Sequence, residues 1–257
     1  MPMRTSPNIE RPILIMPNYL KYPEGSCLVR FGHTHVICAA SVDTRVKEWL
    51  RGKGRGWVTA EYAMLPRANA TRGMREGQFG KWPSSRSQEI QRLIGRCLRS
   101  AVWLEHLGEI TITIDCDVIQ ADGGTRTAAI TGGWVALALA LHKLSAAGKI
   151  RKPPLKSHIA AISTGWVNGE VLLDLNYQED VNADVDLNLA ADEYGNIAEV
   201  QGTAEGRTFS ATLMHDMTAL ALTGIQRLVR IQAETLRSVG IDPTALISPP
   251  PADGATK

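Results

Sequence analysis

The sequence predicts an α+β fold built on a mixed α/β sheet, in one compact domain of two related halves spanning residues 1–241. Three observations carry this prediction. Short runs rich in Val, Ile and Cys are joined by two-residue, glycine-containing turns, the pattern of β-hairpins. Residues 110–119 alternate apolar and polar side chains, the period of a strand with one buried face. Long segments at 84–106, 128–144 and 210–238 read as helices. No sequence repeat of short period is present, which excludes a solenoid.

In chain order, residues 26–31 form a predicted strand, Gly32-His33 a turn and 34–42 the return strand. The RGKGRG run at 51–56 is a basic loop, and residues 68–85, poor in apolar side chains, read as an exposed, mobile one. The helix at 84–106 places Ile90, Leu93, Ile94, Cys97, Ala101 and Leu104 on its apolar face. Ser84 or Ser85 would cap it, with Gln88 completing a capping box, and Gly108 would close it. Arg92, Arg96 and Arg99 then form one stripe turned away from the core. After the strand at 110–119, ADGGT is a tight turn into a buried, Ala/Leu-rich helix. The second half repeats the logic: strand 159–167, the Asn168-Gly169 hairpin turn, return strand 171–175, then strands 185–190 and 197–203 about a Gly195-Asn196 turn. Ser210 caps the last helix, and residues 242–257, with Pro249, Pro250 and Pro251, read as a disordered tail.

Composition narrows the class. The chain has 257 residues, 44% hydrophobic and 21% charged, which excludes a disordered chain, a collagen-like repeat and a small disulfide-framed domain. The longest apolar run, 128–141, is shorter than the roughly 20 residues a bilayer crossing needs, so no membrane association is expected. Arg4, Glu10 and Arg11 leave no apolar stretch for a signal peptide near the N-terminus. Cys27, Cys38, Cys97 and Cys116 are far apart in sequence and read as buried, reduced thiols, pointing to the cytoplasm. A net charge of +2 hides strong segregation. Residues 45–99 hold thirteen Lys or Arg and four Asp or Glu; residues 170–205 hold ten Asp or Glu and no Lys or Arg. Such asymmetry points either to a polyanion partner or to two faces that attract each other in the fold.

Three constellations could carry chemistry. The strand–GGTRT–helix junction puts Thr125 and Arg126 at a helix N-terminus, where unpaired N–H groups, the macrodipole and a forked guanidinium favour an anion. Gly123 and Gly124 permit the tight turn; the motif is neither a Walker A loop nor a dinucleotide turn. Arg86 lies in the first turn of a helix, where a cation opposes the dipole unless an anion joins it. Glu179, Asp180, Asp184 and Asp186 cluster, and carboxylates this close can hold Mg²⁺ or shift one another's pKa toward general acid work. The six histidines show no metal spacing and read as structural.

Taken together, GWVTAEY, QEIQRLIGR, QADGGTRTAAITG and EVQGTAEG, in this order, make the chain resemble the RNase PH family from about Arg4 to Leu236. That family comprises phosphate-dependent 3′→5′ exoribonucleases, of the tRNA nucleotidyltransferase class, that trim tRNA precursors. The resemblance implies a duplicated β-hairpin/α fold shared with ring subunits of polynucleotide phosphorylase and the exosome. It implies inorganic phosphate as co-substrate, bound by Arg86, Gly124, Thr125 and Arg126, and a catalytic pair, Asp180 and Asp186, that could also hold Mg²⁺. RNA would be gripped by Arg72, Arg75, Arg92, Arg96 and Arg99, and the assembly would be a homohexamer, a trimer of dimers. The competing expectations are a non-catalytic RNA-binding ring subunit and a hydrolytic metal nuclease. Departures from the family pattern fall at residues 5–8, in the loop 77–85 with Trp82 and Pro83, and at Asp184.

Overall fold

The computed structural model describes residues 6–76 and 83–249, so the departures at Thr5 and in 77–82 lie outside the described residues. The first half is a five-stranded sheet of β1 (Ile13–Pro17), β2 (Gly25–Phe31), β3 (Thr34–Asp43), β4 (Trp57–Met64) and β5 (Thr111–Gln120). Its order is β1-β2-β3-β5-β4, antiparallel except for the parallel β4–β5 pair, so it is mixed as expected. The second half is an antiparallel sheet of β6 (Ala160–Val167), β7 (Glu170–Leu173), β8 (Val185–Ala191) and β9 (Ile197–Ala204), ordered β7-β6-β8-β9. Helices α1 (Ser85–Ser100) and α2 (Thr125–Ala146) belong to the first half, α3 (Tyr177–Val181) and α4 (Ala211–Ser238) to the second.

The helix α2 joins the halves, packing on β2 and β3 and also on β6 and α4. It is long and apolar enough to cross a membrane, yet 89% of its most apolar stretch is buried inside the fold. Glycines let it approach so closely: a Cβ on Gly25 would lie 2.0 Å from the Ala136 carbonyl oxygen, and one on Gly132 2.6 Å from Val29 Cγ1. One continuous core results, from Val29 in the first sheet through Trp134 to Leu187 and Ile225 in the second half. All four cysteines are free and buried. Far apart in sequence, Cys27, Cys38 and Cys116 sit side by side across β2, β3 and β5.

Four local expectations are corrected. Strands β1 and β4 were not anticipated; β1 is a five-residue edge strand bounded by prolines, defined by its pairing with β2. The helix predicted to His106 ends at Ser100. Val102 forms a bridge to Leu155, the Trp103 N–H donates to the Pro154 carbonyl at 2.8 Å, and the Lys156 N–H donates to that of Ala101, so tertiary pairing takes over the chain there. The Gln88 capping box does not form: Ser84 accepts from the Ser87 N–H, and Gln88 Nε2 instead donates to the Pro83 carbonyl. The tail is ordered through 249. Residues Pro243–Ala245 make a 3₁₀ turn, Leu246 is buried and Ser248 accepts the Trp103 indole N–H at 2.7 Å. The remainder, 250–257, lies outside the described residues.

Candidate functional site

Among the described residues, the start of α2 differs from that of the other α-helices. Ser84, Asn176 and Ser210 cap α1, α3 and α4 with side-chain oxygens, whereas Gly124 stands at the α2 N-cap with φ 63° and offers none. The first-turn N–H groups of Thr125 and Arg126 are therefore left for an external acceptor. The Tyr62 hydroxyl, buried on β4, donates to Thr125 Oγ1 at 2.8 Å, which leaves the Thr125 proton as a further donor. The turn itself is fixed from beneath. Thr34 Oγ1 donates to the Gly123 carbonyl at 2.5 Å and accepts from the Asp122 N–H at 2.9 Å. A Cβ on Gly123, at φ 76°, would lie 2.4 Å from the Leu175 carbonyl oxygen, so the turn fits against the second half only as glycine.

Two arginines reach this turn. Arg86 is exposed in the first turn of α1 and makes no hydrogen bond or ion pair among the described residues. Glu76 anchors that helix start, its Oε1 accepting from Ser84 Oγ and Ser87 Oγ at 2.8 Å each. Arg126 donates from Nη1 to Gln201 Oε1 on β9 at 2.6 Å and lies 3.8 Å from Glu89 Oε1, while Gln201 Nε2 donates to the same Glu89 oxygen. Burial raises the Tyr62 hydroxyl pKa, and the hydrogen bond with Thr125 and the charges of Arg86 and Arg126 pull it back.

The acidic cluster divides into two structural and two site residues. Glu179 closes a capping box with Asn176 at the start of α3, and Asp184 pairs with Arg207 at 2.5 Å. Asp180 stands on α3 itself, a short helix not predicted from the sequence. Asp186 projects from β8, opposite Thr203 on β9, whose Oγ1 donates to Asp186 Oδ1 at 2.9 Å. The Asp180 carboxyl is raised above its ordinary range, first by the protein around it and then by the charge of Asp186, with Arg126, Arg86 and Arg11 opposing. The charges of Arg126, Arg86 and Arg11 from the first half thus act on Asp180 of the second.

The expected RNA-gripping arginines are spread more widely. Arg72 and Arg75 are exposed beyond β4, and Arg92 is exposed on α1. Arg96 is exposed too but forms a two-pronged pair with Glu199, at 3.1 and 2.9 Å. Arg99 leaves the stripe: it donates to the Val58 carbonyl at 2.8 Å and its guanidinium sits 4.4 Å from the centre of the Trp57 ring. Sequence reasoning assigned no role to Tyr62, Glu89, Gln201 or Thr203. The one available signal was strand alternation, which puts Gln201 and Thr203 on a common face.

Among the described residues no three His, Cys, Asp or Glu side chains converge as a metal cluster. The pair Asp180 and Asp186 nevertheless suits Mg²⁺, which commonly takes one or two carboxylates and completes its shell with water and substrate phosphate. Their mutual repulsion, expressed in the raised pKa of Asp180, is what a cation would relieve.

Comparison with known proteins follows this geometry. Residues 10–142 match the model for the 3′ exoribonuclease family, domain 1, and residues 158–224 the model for domain 2. Ribonuclease PH of Methylocella silvestris is 56% identical over 222 residues, covering 86% of this chain and 93% of that protein. Among solved structures, rice Rrp46 superposes with a TM-score of 0.72 at 20% identity, covering 90% of this chain and 97% of that one. An Archaeoglobus fulgidus exosome structure with RNA bound to the active site gives 0.70 at 20% identity, covering 86% and 88%.

Proposed function

This chain belongs to the 3′ exoribonuclease family and is a phosphorolytic 3′ exoribonuclease acting on tRNA, and we propose that the cleft between the α2 start and β8 is its active site. The observation that carries the assignment is the uncapped start of α2, where Gly124 offers no side-chain oxygen and Arg126 follows; the charges of Asp186, Arg126, Arg86 and Arg11 all act on Asp180. Inorganic phosphate binds at the α2 start, held by the N–H groups after Gly124, the Thr125 hydroxyl, Arg126 and Arg86. Such a site neutralises and orients the nucleophile, the larger part of catalysis in phosphoryl transfer. A phosphate oxygen attacks the phosphorus of the last phosphodiester. The bond to the ribose 3′ oxygen of the penultimate nucleotide breaks, releasing a nucleoside diphosphate and an RNA shortened by one residue. Asp180, with its raised pKa, hands a proton to that departing 3′ oxygen, and Asp186, steadied by Thr203, orients the same end of the substrate. Where both are ionised, Asp180 and Asp186 would instead hold Mg²⁺, which would supply charge neutralisation at the leaving group. The reverse reaction adds nucleotides from diphosphates.

The substrates are the 3′ ends of tRNA precursors in the cytoplasm. Arg72, Arg75 and Arg92 are the exposed cations best placed to hold the RNA backbone, and Arg96 joins them by releasing Glu199. The protein works as a homohexamer, a trimer of dimers; the rice and archaeal structures support the ring-subunit fold and no more at 20% identity. A non-catalytic ring subunit would have no use for Arg86, Thr125, Arg126, Asp180 and Asp186 in one cleft. Incubating the protein with Mg²⁺ and a tRNA bearing extra 3′ residues, with and without inorganic phosphate, tests the assignment. Diphosphates released only with phosphate are expected; monophosphates would mean hydrolysis, and no release would mean a binding subunit.

A further inference from the structure

The most heavily bonded side chain near the site takes no part in the chemistry above. Arg11 is 12% exposed and its partner Asp174 is 0% exposed. Arg11 Nε donates to Asp174 Oδ2 at 2.9 Å, Nη2 to Oδ1 at 2.7 Å, and its backbone N–H to Oδ2 at 3.0 Å. The third prong, Nη1, donates to the carbonyl of Asp122 in the phosphate turn. The guanidinium passes directly under that turn: a Cβ on Gly124 would lie 3.2 Å from Nη2. Asp122 in turn accepts, through Oδ1, the N–H of Tyr177, the first residue of the helix that carries Asp180. Asp174 lies two residues before the Asn176 cap of that helix and is held at φ 55°. The strap holding Arg11 is itself tied down, because Glu10 accepts from Arg227 Nε of α4 at 2.7 Å.

Arg11 therefore touches the phosphate turn with one prong and the approach to the acid helix with two. A buried ion pair is a costly way to gain stability alone, since apolar residues of similar volume serve as well or better. It is an effective way to fix geometry, and a misplacement of about 1 Å between reacting groups can cost on the order of 100-fold in rate. We propose that Arg11 is a positioning residue for phosphorolysis: braced on Asp174 and Asp122, it sets the separation between the phosphate turn at Gly124–Arg126 and the helix bearing Asp180. This rests on the active-site assignment above.

The test uses Arg11→Lys, which keeps the charge and loses the fork, and Asp122→Ala, which cuts the link to Tyr177 without stranding a buried charge. Asp122→Asn restores the Oδ1 acceptor. Steady-state phosphorolysis is measured with phosphate and RNA varied separately, alongside Tm and calorimetric binding of inorganic phosphate. Arg11→Lys should lower kcat/KM for phosphate by about 30-fold or more while KM for RNA stays within about twofold. Asp122→Ala should lower it about 5-fold, with recovery in Asp122→Asn. Folded variants with kcat/KM for phosphate unchanged would reduce Arg11 to a structural pair and overturn the proposal. If Arg11→Lys does not fold, Asp174→Glu, which keeps the charge of the pair and shifts its fork by one methylene, decides by the same criterion. If the wild-type protein releases no diphosphate, the active-site assignment fails; unaltered phosphate binding in the folded Arg11 or Asp174 variant would then sink the positioning role as well.

Discussion

The two halves of the molecule supply the proposed site with opposite charge by different structural means. In the first half the cations stand on helix starts, Arg86 on α1 and Arg126 on α2, where N–H groups and dipoles add to their pull on an anion. In the second half the acids stand on a short helix and a strand, Asp180 on α3 and Asp186 on β8, where backbone dipoles contribute less. On the proposed assignment, the basic side binds phosphate and the acidic side transfers a proton or holds a cation. Much of the remaining segregated charge is spent between or within the halves, as in Arg96 with Glu199 and Asp184 with Arg207. Net charge along the chain is thus a poor guide to which residues face a ligand.

Breaking the acidic side should give the largest effect. Asp180→Asn is expected to lower kcat by roughly 10²–10⁴-fold while calorimetric phosphate binding stays within about threefold, since it removes the proton donor of the transfer step. Full activity in this variant would dismiss the acid assignment. Breaking the basic side should show up chiefly in phosphate binding. Arg126→Ala is expected to raise KM for phosphate by about 10–100-fold, the loss of a charge-assisted forked contact, with a smaller change in kcat. Equal losses in both parameters would instead place Arg126 in transition-state stabilisation.

The smallest effect sharpens the comparison through stability. The folded-state pKa of Asp180 lies above its unfolded value, so ionising it costs the folded protein. Its favourable contribution is present below the unfolded pKa and is lost as pH rises through the folded one. Asp180→Asn cannot ionise, so it should raise Tm by about 2 °C at pH 7, with no gain below about pH 4, even as activity falls. The carboxyl is open to solvent, which keeps the gain small. A lower Tm at pH 7 would mean that Asp180 is held by interactions the raised pKa does not reflect.

Most of the elements were legible because local chemistry and fold agreed. Asn168-Gly169 turns the β6–β7 hairpin, Ser210 caps α4, and the alternation from Thr111 to Gln120 is a strand. The failures have a common cause. Ala101 and Leu104 kept the helical period of α1 and are buried as it predicts, but long-range bonds to Pro154 and Leu155 had already taken the chain out of the helix. The proline-bearing tail looked disordered until Trp103 and Leu155 supplied partners for Ser248 and Ile247. At the site, motif residues such as Arg126 could be named from the sequence. Partners such as Gln201 and Glu89 could not, because nothing local joins Arg126 to positions 75 and 37 residues away.

By itself the sequence determined most of the hairpins and helices (not β1, β4 or α3), the glycine turn that leaves α2 uncapped, and the residue types we assign to phosphate binding and acid work. These follow from backbone conformation and side-chain chemistry, which act over a few residues. Only the tertiary structure decided which charges meet. It turned Arg99 onto Trp57, gave Arg96 to Glu199, assigned Glu179 to a cap and left Asp180 and Asp186 to act together. It also ran Arg11 beneath the phosphate turn, because a buried guanidinium must find its carboxylate wherever packing brings one, here in the other half of the chain.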